Sequence, residues 1–215
     1  MIIDDVIFIP GIANDSNYYI INKDILVDTG TGQYSDMLYS KLRENGVEPE
    51  NIKLIVNTHC HYDHVGGNKD FPNAKVAIGE FDAESLRIED DPNTCTALFG
   101  SSIERHDVDI ELKEGDKIAD FEVIHTPGHS SGGICLWNGK TLICGDTIFA
   151  HGGVGRMDIG GNYEDMKESV EKLRKLDVVN ILPGHGPIVE GNGDAHIEAS
   201  FNNYNFTSRI FFQPF

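Results

Sequence analysis

The stretch Thr58-His59-Cys60-His61-Tyr62-Asp63-His64 constrains this chain more than any other, because four groups able to bind a transition metal fall within six residues. Neutral imidazole and carboxylate suit zinc, iron or manganese where no thiolate cluster competes. The spacing carries geometry. His59 and His61 stand two apart, so in an extended or looped segment they point the same way. A regular helix would separate them by about 200°, which places the motif on a loop after a strand. Asp63 and His64 lie beyond a turn and can face a second ion. The plain alternative, a polar loop with water-facing histidines, fits poorly with so dense a run of His and Asp.

The rest of the chain must fold so as to complete such a site. Its 215 residues, 40% hydrophobic and 24% charged, suit a globular protein with a substantial core, and we expect a single domain over 1–215. No run reaches the roughly 18 apolar residues that a bilayer span needs. The acidic start Met1-Ile2-Ile3-Asp4-Asp5 has no basic n-region, so no signal peptide is expected. Cys60, Cys95, Cys135 and Cys144 form no CxxC pair and suggest no disulfide framework, which points to the cytoplasm. Seventeen basic residues against 35 acidic ones give a net charge of −18. Nucleic-acid binding needs clustered Lys and Arg, and the one basic run, Lys167 to Lys175, is interleaved with Glu168 and Glu171 as on a solvated helix face.

Short β-rich runs occupy 2–9, 18–21 and 24–28, with turns at Pro10-Gly11 and Asn22-Lys23, as in an antiparallel meander. Met37, Leu38 and Leu42 predict a helix over 34–45 that stops at Gly46. Residues 53–57 read as a buried strand delivering the metal loop, since sites gather where strands end and loops can vary. A strand over 75–78 and a helix over 80–88 follow. Residues 90–102 have no clear period and read as a surface excursion over the site. Strands are expected at 107–112, 117–125, 133–137 and 141–145, with hairpin turns at Gly115-Asp116 and Asn138-Gly139. An amphipathic helix over 163–176, a buried strand over 178–182 and a helix over 194–205 complete the order. The tail from Arg209, with Phe211, Phe212 and Phe215, is apolar and would either pack on its own domain or form a homodimer contact. Strands and helices, then strands and helices again, fit an α+β protein with two similar halves in a four-layered helix, sheet, sheet, helix sandwich.

One loop would leave each ion under-coordinated, so further ligands are expected at other strand ends. His129 in His125-Thr-Pro-Gly-His129, Asp146 in Cys144-Gly-Asp146-Thr and His185 in Pro183-Gly-His185-Gly-Pro187 all stand there, each beside glycine. Taken singly, each could be a capping Asp or an ordinary loop histidine. Together with Asp28 and His59-Cys-His61-Tyr-Asp63-His64, they resemble the ordered motifs of the metallo-β-lactamase superfamily over roughly residues 20 to 190.

That resemblance implies one ion on His59, His61 and His129, a second on Asp63, His64 and His185, and Asp146 bridging the two. It implies that Asp28 orients the ligand loop without binding an ion, and that His106, His125, His151 and His196 are not ligands. Gly145-Asp-Thr-Ile-Phe149, Gly153-Val-Gly-Arg156 and Pro183-Gly-His-Gly-Pro187 are most similar to short members of the glyoxalase II group. Arg156 stands where that group has a basic thiol-binding residue, and Asp158 stands where a Tyr is expected. The implied reaction is hydrolysis of a hydroxyacyl thioester by a hydroxide shared between two divalent ions, zinc first, with iron or manganese as alternatives. Asp63 would help orient the nucleophile. No side chain stands out as a covalent nucleophile, and by alternation Cys60 points away from the metals. A lactonase and a mononuclear-iron enzyme akin to persulfide dioxygenases are the other activities weighed, besides a metal-binding module without turnover. The expected partner is a small thioester or ester, with neither nucleic acid nor membrane.

Overall fold

A computed structural model describes the backbone of residues 1–211 and the side chains through residue 204. The first sheet runs in chain order: β1 (Ile2–Ile3), β2 (Val6–Ile9), β3 (Tyr18–Ile21), β4 (Ile25–Val27), β5 (Leu54–Asn57), β6 (Lys75–Gly79) and β7 (Ile110–Leu112). Its first four strands are antiparallel and the rest parallel. The second sheet comprises β8 (Lys117–Ile118), β9 (Phe121–His125), β10 (Ile134–Trp137), β11 (Thr141–Gly145) and, after a small ribbon of β12 (Ile148–Phe149) and β13 (Gly153–Val154), β14 (Asn180–Pro183). The strand β14 returns parallel to β11.

The period of two along β3 sets the layers. Tyr19 and Ile21 enter an inter-sheet core with Val27 and Val56 from the first sheet and Phe121, Val123, Leu136 and Leu182 from the second. Tyr18 and Ile20 turn the other way, onto Leu38 and Leu42 of helix α1 (Ser35–Glu44). The outer face of the second sheet presents Ile124, Leu142, Cys144 and Ile181 to Met166, Val170 and Leu173 of a later helix, Tyr163–Leu173, whose apolar residues recur at helical spacing. Each such buried side chain contributes about 1.5–3 kcal/mol relative to exposure. The result is the expected four-layered sandwich of helix, sheet, sheet, helix.

The expected run 2–9 is broken by Asp4 and Asp5, both at positive φ, which make a tight hairpin between β1 and β2. Ala119 at φ 53° likewise splits 117–125 into β8 and β9. Gly115-Asp116 is a turn but not a hairpin, since it carries the chain from β7 in one sheet to β8 in the other. The ribbon of β12 and β13 goes undetected in the sequence because two-residue strands show no period. The stretch 90–102 contains order of its own: α4 (Asp91–Thr94), preceded in the chain by α2 (Tyr62–Val65) and α3 (Ala83–Arg87), is followed by a 3₁₀ turn at Thr96–Phe99. The helix already described at Tyr163–Leu173 is α5, and α6 spans Gly193–Phe211. The apolar packing or dimer contact expected of the tail's Phe211, Phe212 and Phe215 lies outside the residues whose side chains are described.

Candidate metal centre

The ends of β5, β9, β11 and β14 lie together, and the loops that leave them carry the seven candidate ligands, while Asp28 follows β4 and Arg156 follows β13. The strand β5 stops at Asn57, residues 58–61 form a loop, and the single turn of α2 carries Asp63 and His64. The motif therefore does sit on a loop after a strand, with its second half on a helical turn that brings the His64 ring within 4.0 Å of the His59 ring and sets Asp63 beside His185.

Three constellations arise, each with one ligand atom per residue inside a 4.8 Å span: His59, His61 and His129; His59, His64 and Asp146; and Asp63, His64 and His185. The first contains a 2.8 Å approach of His61 Nδ1 to His129 Nε2. In the third, His185 Nε2 is 3.0 Å and His64 Nε2 3.9 Å from Asp63 Oδ2. Asp146 spans both halves, with Oδ1 3.5 Å from His64 Nε2 and Oδ2 3.4 Å from His129 Nε2 and 3.7 Å from His185 Nε2. The ligand side chains are buried or nearly so, and His185 is the most open at 36%. Buried polar atoms almost always have partners, yet His59 Nε2, His64 Nε2 and Asp146 Oδ1 have none. These three belong to one constellation, so the donor set fits divalent cations bound by imidazole and carboxylate.

Electrostatics divide the cluster. Burial, together with neighbouring histidines, pushes His59 well below its usual range and His61 down to about 3. Both are neutral donors at physiological pH. Burial also works against a charge on His64, but Asp28, Asp146 and Asp63 overcome it and raise His64 well above its ordinary value. His185 is raised likewise, chiefly by its hydrogen bond to Asp63 against burial. Burial would raise the carboxyls of Asp63 and Asp146, but His64 and its neighbours hold both below the usual range, so both are anions.

Hydrogen bonds behind the cluster fix its tautomers. Asp28, at φ 59° and 1% exposed, accepts from Thr58 N and Thr58 Oγ1, each at 2.8 Å. Its Oδ2 also accepts from His64 Nδ1 at 2.8 Å. A carboxylate can only accept here, so Nδ1 keeps its proton in either charge state, and it is Nε2 that must lose one to offer a lone pair to a cation. His129 Nδ1 donates to the carbonyl of Arg156 at 2.7 Å and turns its Nε2 inward in the same way. Gly184, between β14 and His185, has to be glycine: a Cβ there would come within 2.1 Å of Asp146 Oδ1 and 2.8 Å of His64 Cε1.

Three supporting residues escaped the sequence reading. Asn17 Nδ2 donates to the carbonyls of Pro183 and Gly186, clamping the turn that bears His185. Tyr19 Oη donates to the Pro183 carbonyl at 2.6 Å. Asp82, 1% exposed, ties the loop of Cys60 to that of Ser130. Asn17 and Tyr19 have no sequence signal, because their partners are some 165 positions away. Asp82 does have one, since it follows β6 beside Gly79, the same strand-end placement that marked the ligands.

In front of the His and Asp cluster opens a cleft of about 370 Å³ whose walls include Leu98, Phe99, Phe149, Val154 and Ile159. The excursion expected over the site is thus real, and it supplies Leu98 and Phe99. Arg156 lines the cleft, but its guanidinium is engaged twice by Asp158, at 3.0 and 2.8 Å. Cys60 turns away from the site: its N–H donates to Asp82, its Sγ contacts the Asn93 carbonyl, and burial raises its thiol well above the usual range. Ser130 and Ser131 donate to Asp82 rather than to a histidine. His125 bonds the Ser131 carbonyl, and His196 accepts from the backbone of His151. Neither these three nor His106 enters a ligand constellation.

Comparison with known proteins agrees with this geometry. The family model of the metallo-β-lactamase superfamily matches residues 11–185. The chain is 34% identical over 196 residues to the probable metallo-hydrolase MJ0888 of Methanocaldococcus jannaschii, covering 85% of this chain and 93% of that protein. It is 33% identical over 185 residues to a hydroxyacylglutathione hydrolase of an Enterobacter species, covering 83% of this chain and 64% of the relative. Another such hydrolase, from Methylococcus capsulatus, is spanned over only 43% of its length. Among solved structures, that of TTHA1623 in a di-iron-bound form aligns with a TM-score of 0.72 at 24% identity, covering 86% of this chain and 94% of the other. The subclass B3 metallo-β-lactamase BJP-1 of Bradyrhizobium japonicum aligns at 0.75 and 21% identity over 98% and 92%. At these identities the likeness shows the fold.

Proposed function

The chain belongs to the metallo-β-lactamase superfamily, and from that premise we propose a two-metal hydrolase of hydroxyacyl-type thioesters. The observation that carries the reading is the set of buried, unpartnered donor atoms on His59, His64 and Asp146, within a cage that two three-residue constellations complete on either side. His59, His61 and His129 would hold one ion, and Asp63, His64 and His185 the other, with Asp146 between them. When bound, divalent cations supply Lewis acidity, bringing the acidity of water near neutrality and polarising an acyl carbonyl.

The chain's own residues do the rest. Asp63, ionised and open to the cleft, orients the attacking water by accepting its hydrogen bond. The apolar wall of Leu98, Phe99 and Phe149 packs the substrate and thins out water around the reacting carbonyl. Among the described residues Arg156 is the only Lys or Arg on that wall, and Asp158 neutralises it. We assign Arg156 to substrate binding, and its pairing favours a leaving thiol that carries little negative charge. The hydroxyacylglutathione hydrolases among the relatives support a thioester. Completeness of the Asp63, His64 and His185 group favours two ions over a mononuclear-iron oxidation.

The identity of the metal follows availability in the cell as much as ligand type; we propose zinc, and the di-iron-bound fold neighbour makes iron the natural comparison. Four unpaired cysteines suit a reducing compartment, and we assign the cytoplasm. Among the described residues no helix is long and apolar enough to cross a membrane. The test is a steady-state screen of metal-replete protein on thioesters, lactones and β-lactams, with metal content measured on the same sample. Thioester turnover well above the other two classes is expected. Preference for a lactone or β-lactam would overturn the substrate assignment while leaving the centre intact.

A further inference from the structure

Asp28 holds His64 directly and, through Thr58, the start of the loop that carries His59; the loops of His61 and His129 are joined by a second carboxylate. Asp82 is a buried carboxylate with four donors converging on it. Its Oδ2 accepts from Cys60 N at 3.0 Å and Ser130 Oγ at 2.7 Å, and its Oδ1 from Gly132 N at 2.6 Å and Ser131 Oγ at 3.3 Å. Cys60 sits between His59 and His61, and Ser130 follows His129. One side chain therefore joins the two loops that carry all three members of a single constellation, which come from positions 70 apart in the chain.

The local structure shows that this is the side chain's role. Asp82 occupies the N-cap position of α3, where an Asp ordinarily accepts from the first turn's N–H groups. Here it makes no such bond. Its own helix goes uncapped while both carboxylate oxygens turn to the loops. The fit leaves no room for change: a Cβ on Gly132 would come within 2.6 Å of the Asp82 carboxylate.

We propose that Asp82 is a positioning residue for the half-site of His59, His61 and His129, setting its metal affinity independently of the half-site of Asp63, His64 and His185. Its hydrogen-bond partners are Cys60, Ser130, Ser131 and Gly132, and none of the three ligands of the other half is among them. An amide at position 82 keeps one acceptor oxygen, and whichever way it turns its NH₂ meets a backbone N–H, of Cys60 or of Gly132, that it cannot satisfy. Such partners behind a ligand typically alter metal affinity by about 10–100-fold.

The inference rests on the proposed centre, and the test keeps the two apart. Wild-type protein, Asp82→Asn, Ser130→Ala, and the reference variants His129→Ala and His185→Ala are titrated with Co²⁺ under chelator competition, reading absorption spectra rather than turnover. The reference variants assign each equivalent to its half. Asp82→Asn should weaken the His129 half by about 10–100-fold and leave the His185 half within about threefold, and Ser130→Ala should do the same more weakly. Equal loss at both halves, or none, overturns the positioning role. Should Asp82→Asn not fold, Ser130→Ala alone decides between these outcomes. If wild-type protein binds no Co²⁺, the centre itself is wrong.

Discussion

Replacing Asp28 by Asn changes a tautomer rather than a shape. Asp28 accepts three hydrogen bonds, from Thr58 N, Thr58 Oγ1 and His64 Nδ1, each at 2.8 Å. Asparagine has one acceptor oxygen and one NH₂. If the oxygen faces Thr58 N, the NH₂ faces His64 Nδ1, which must then accept, and the proton moves to Nε2. That is the nitrogen which faces Asp63 and Asp146 and has no other partner. If the amide is turned round, His64 keeps its tautomer but the Thr58 N–H meets a donor in a fully buried place. A buried donor left unpaired costs about 1–3 kcal/mol. A typical effect behind a metal ligand, 10–100-fold in affinity, corresponds to about 1.4–2.8 kcal/mol, and the two figures agree. The assay is metal titration of Asp28→Asn by chelator competition, with circular dichroism to show that the fold persists. The equivalent bound at His185 should weaken by about 10–100-fold. A folded variant that takes up both equivalents with wild-type affinity would refute the tautomer argument.

Three further outcomes are expected. Asp158→Asn frees the Arg156 guanidinium at the cleft, so KM for anionic thioesters should fall by roughly two- to fivefold, more at low salt, with neutral thioesters unaffected; an unchanged ratio in steady-state assays would remove Asp158 from specificity. Gly184→Ala drives a methyl into Asp146 and His64, so metal content measured by plasma emission should drop below one ion per chain while the chain stays folded; two ions per chain would contradict the crowding. Metal affinity should depend on pH differently in the two halves. His64 and His185 are raised above the usual imidazole value and must shed protons on loading, so the affinity of their half falls as pH drops through that range. His59 and His61 are depressed and already neutral, so they add no such competition until far lower pH. Chelator competition at pH 5.5 and 7.5 should show the steeper loss at the His185 half, and equal slopes would contradict it.

What could be read in the sequence and what could not follows from the range of the interactions. The β3 and β5 runs, the α1 and α5 spacings and the His and Asp at strand ends are local signals, and the structure keeps all of them. Two misreadings came from residues whose backbone angle overrides composition. Asp4, Asp5 and Ala119 adopt positive φ and cut expected strands in two. The turn at Gly115-Asp116 looked like a hairpin because turn chemistry does not reveal whether the next strand joins the same sheet. The ligands themselves were legible as residue types, whereas the tautomers were not. They depend on the Asp28 carboxylate and the Arg156 carbonyl, and only three-dimensional contact identifies these as the partners of His64 and His129. The pairing of Arg156 with Asp158 likewise needed coordinates, although the two residues are neighbours in the chain.

The most direct test of a two-cation hydrolytic centre is thioester hydrolysis by stripped protein, followed as metal is returned in measured equivalents. Cooperation between the His129 and His185 halves predicts little turnover at substoichiometric metal, a rise that breaks sharply at two equivalents per chain, and no gain beyond. Full activity at one equivalent, or activity that survives complete stripping, would contradict it.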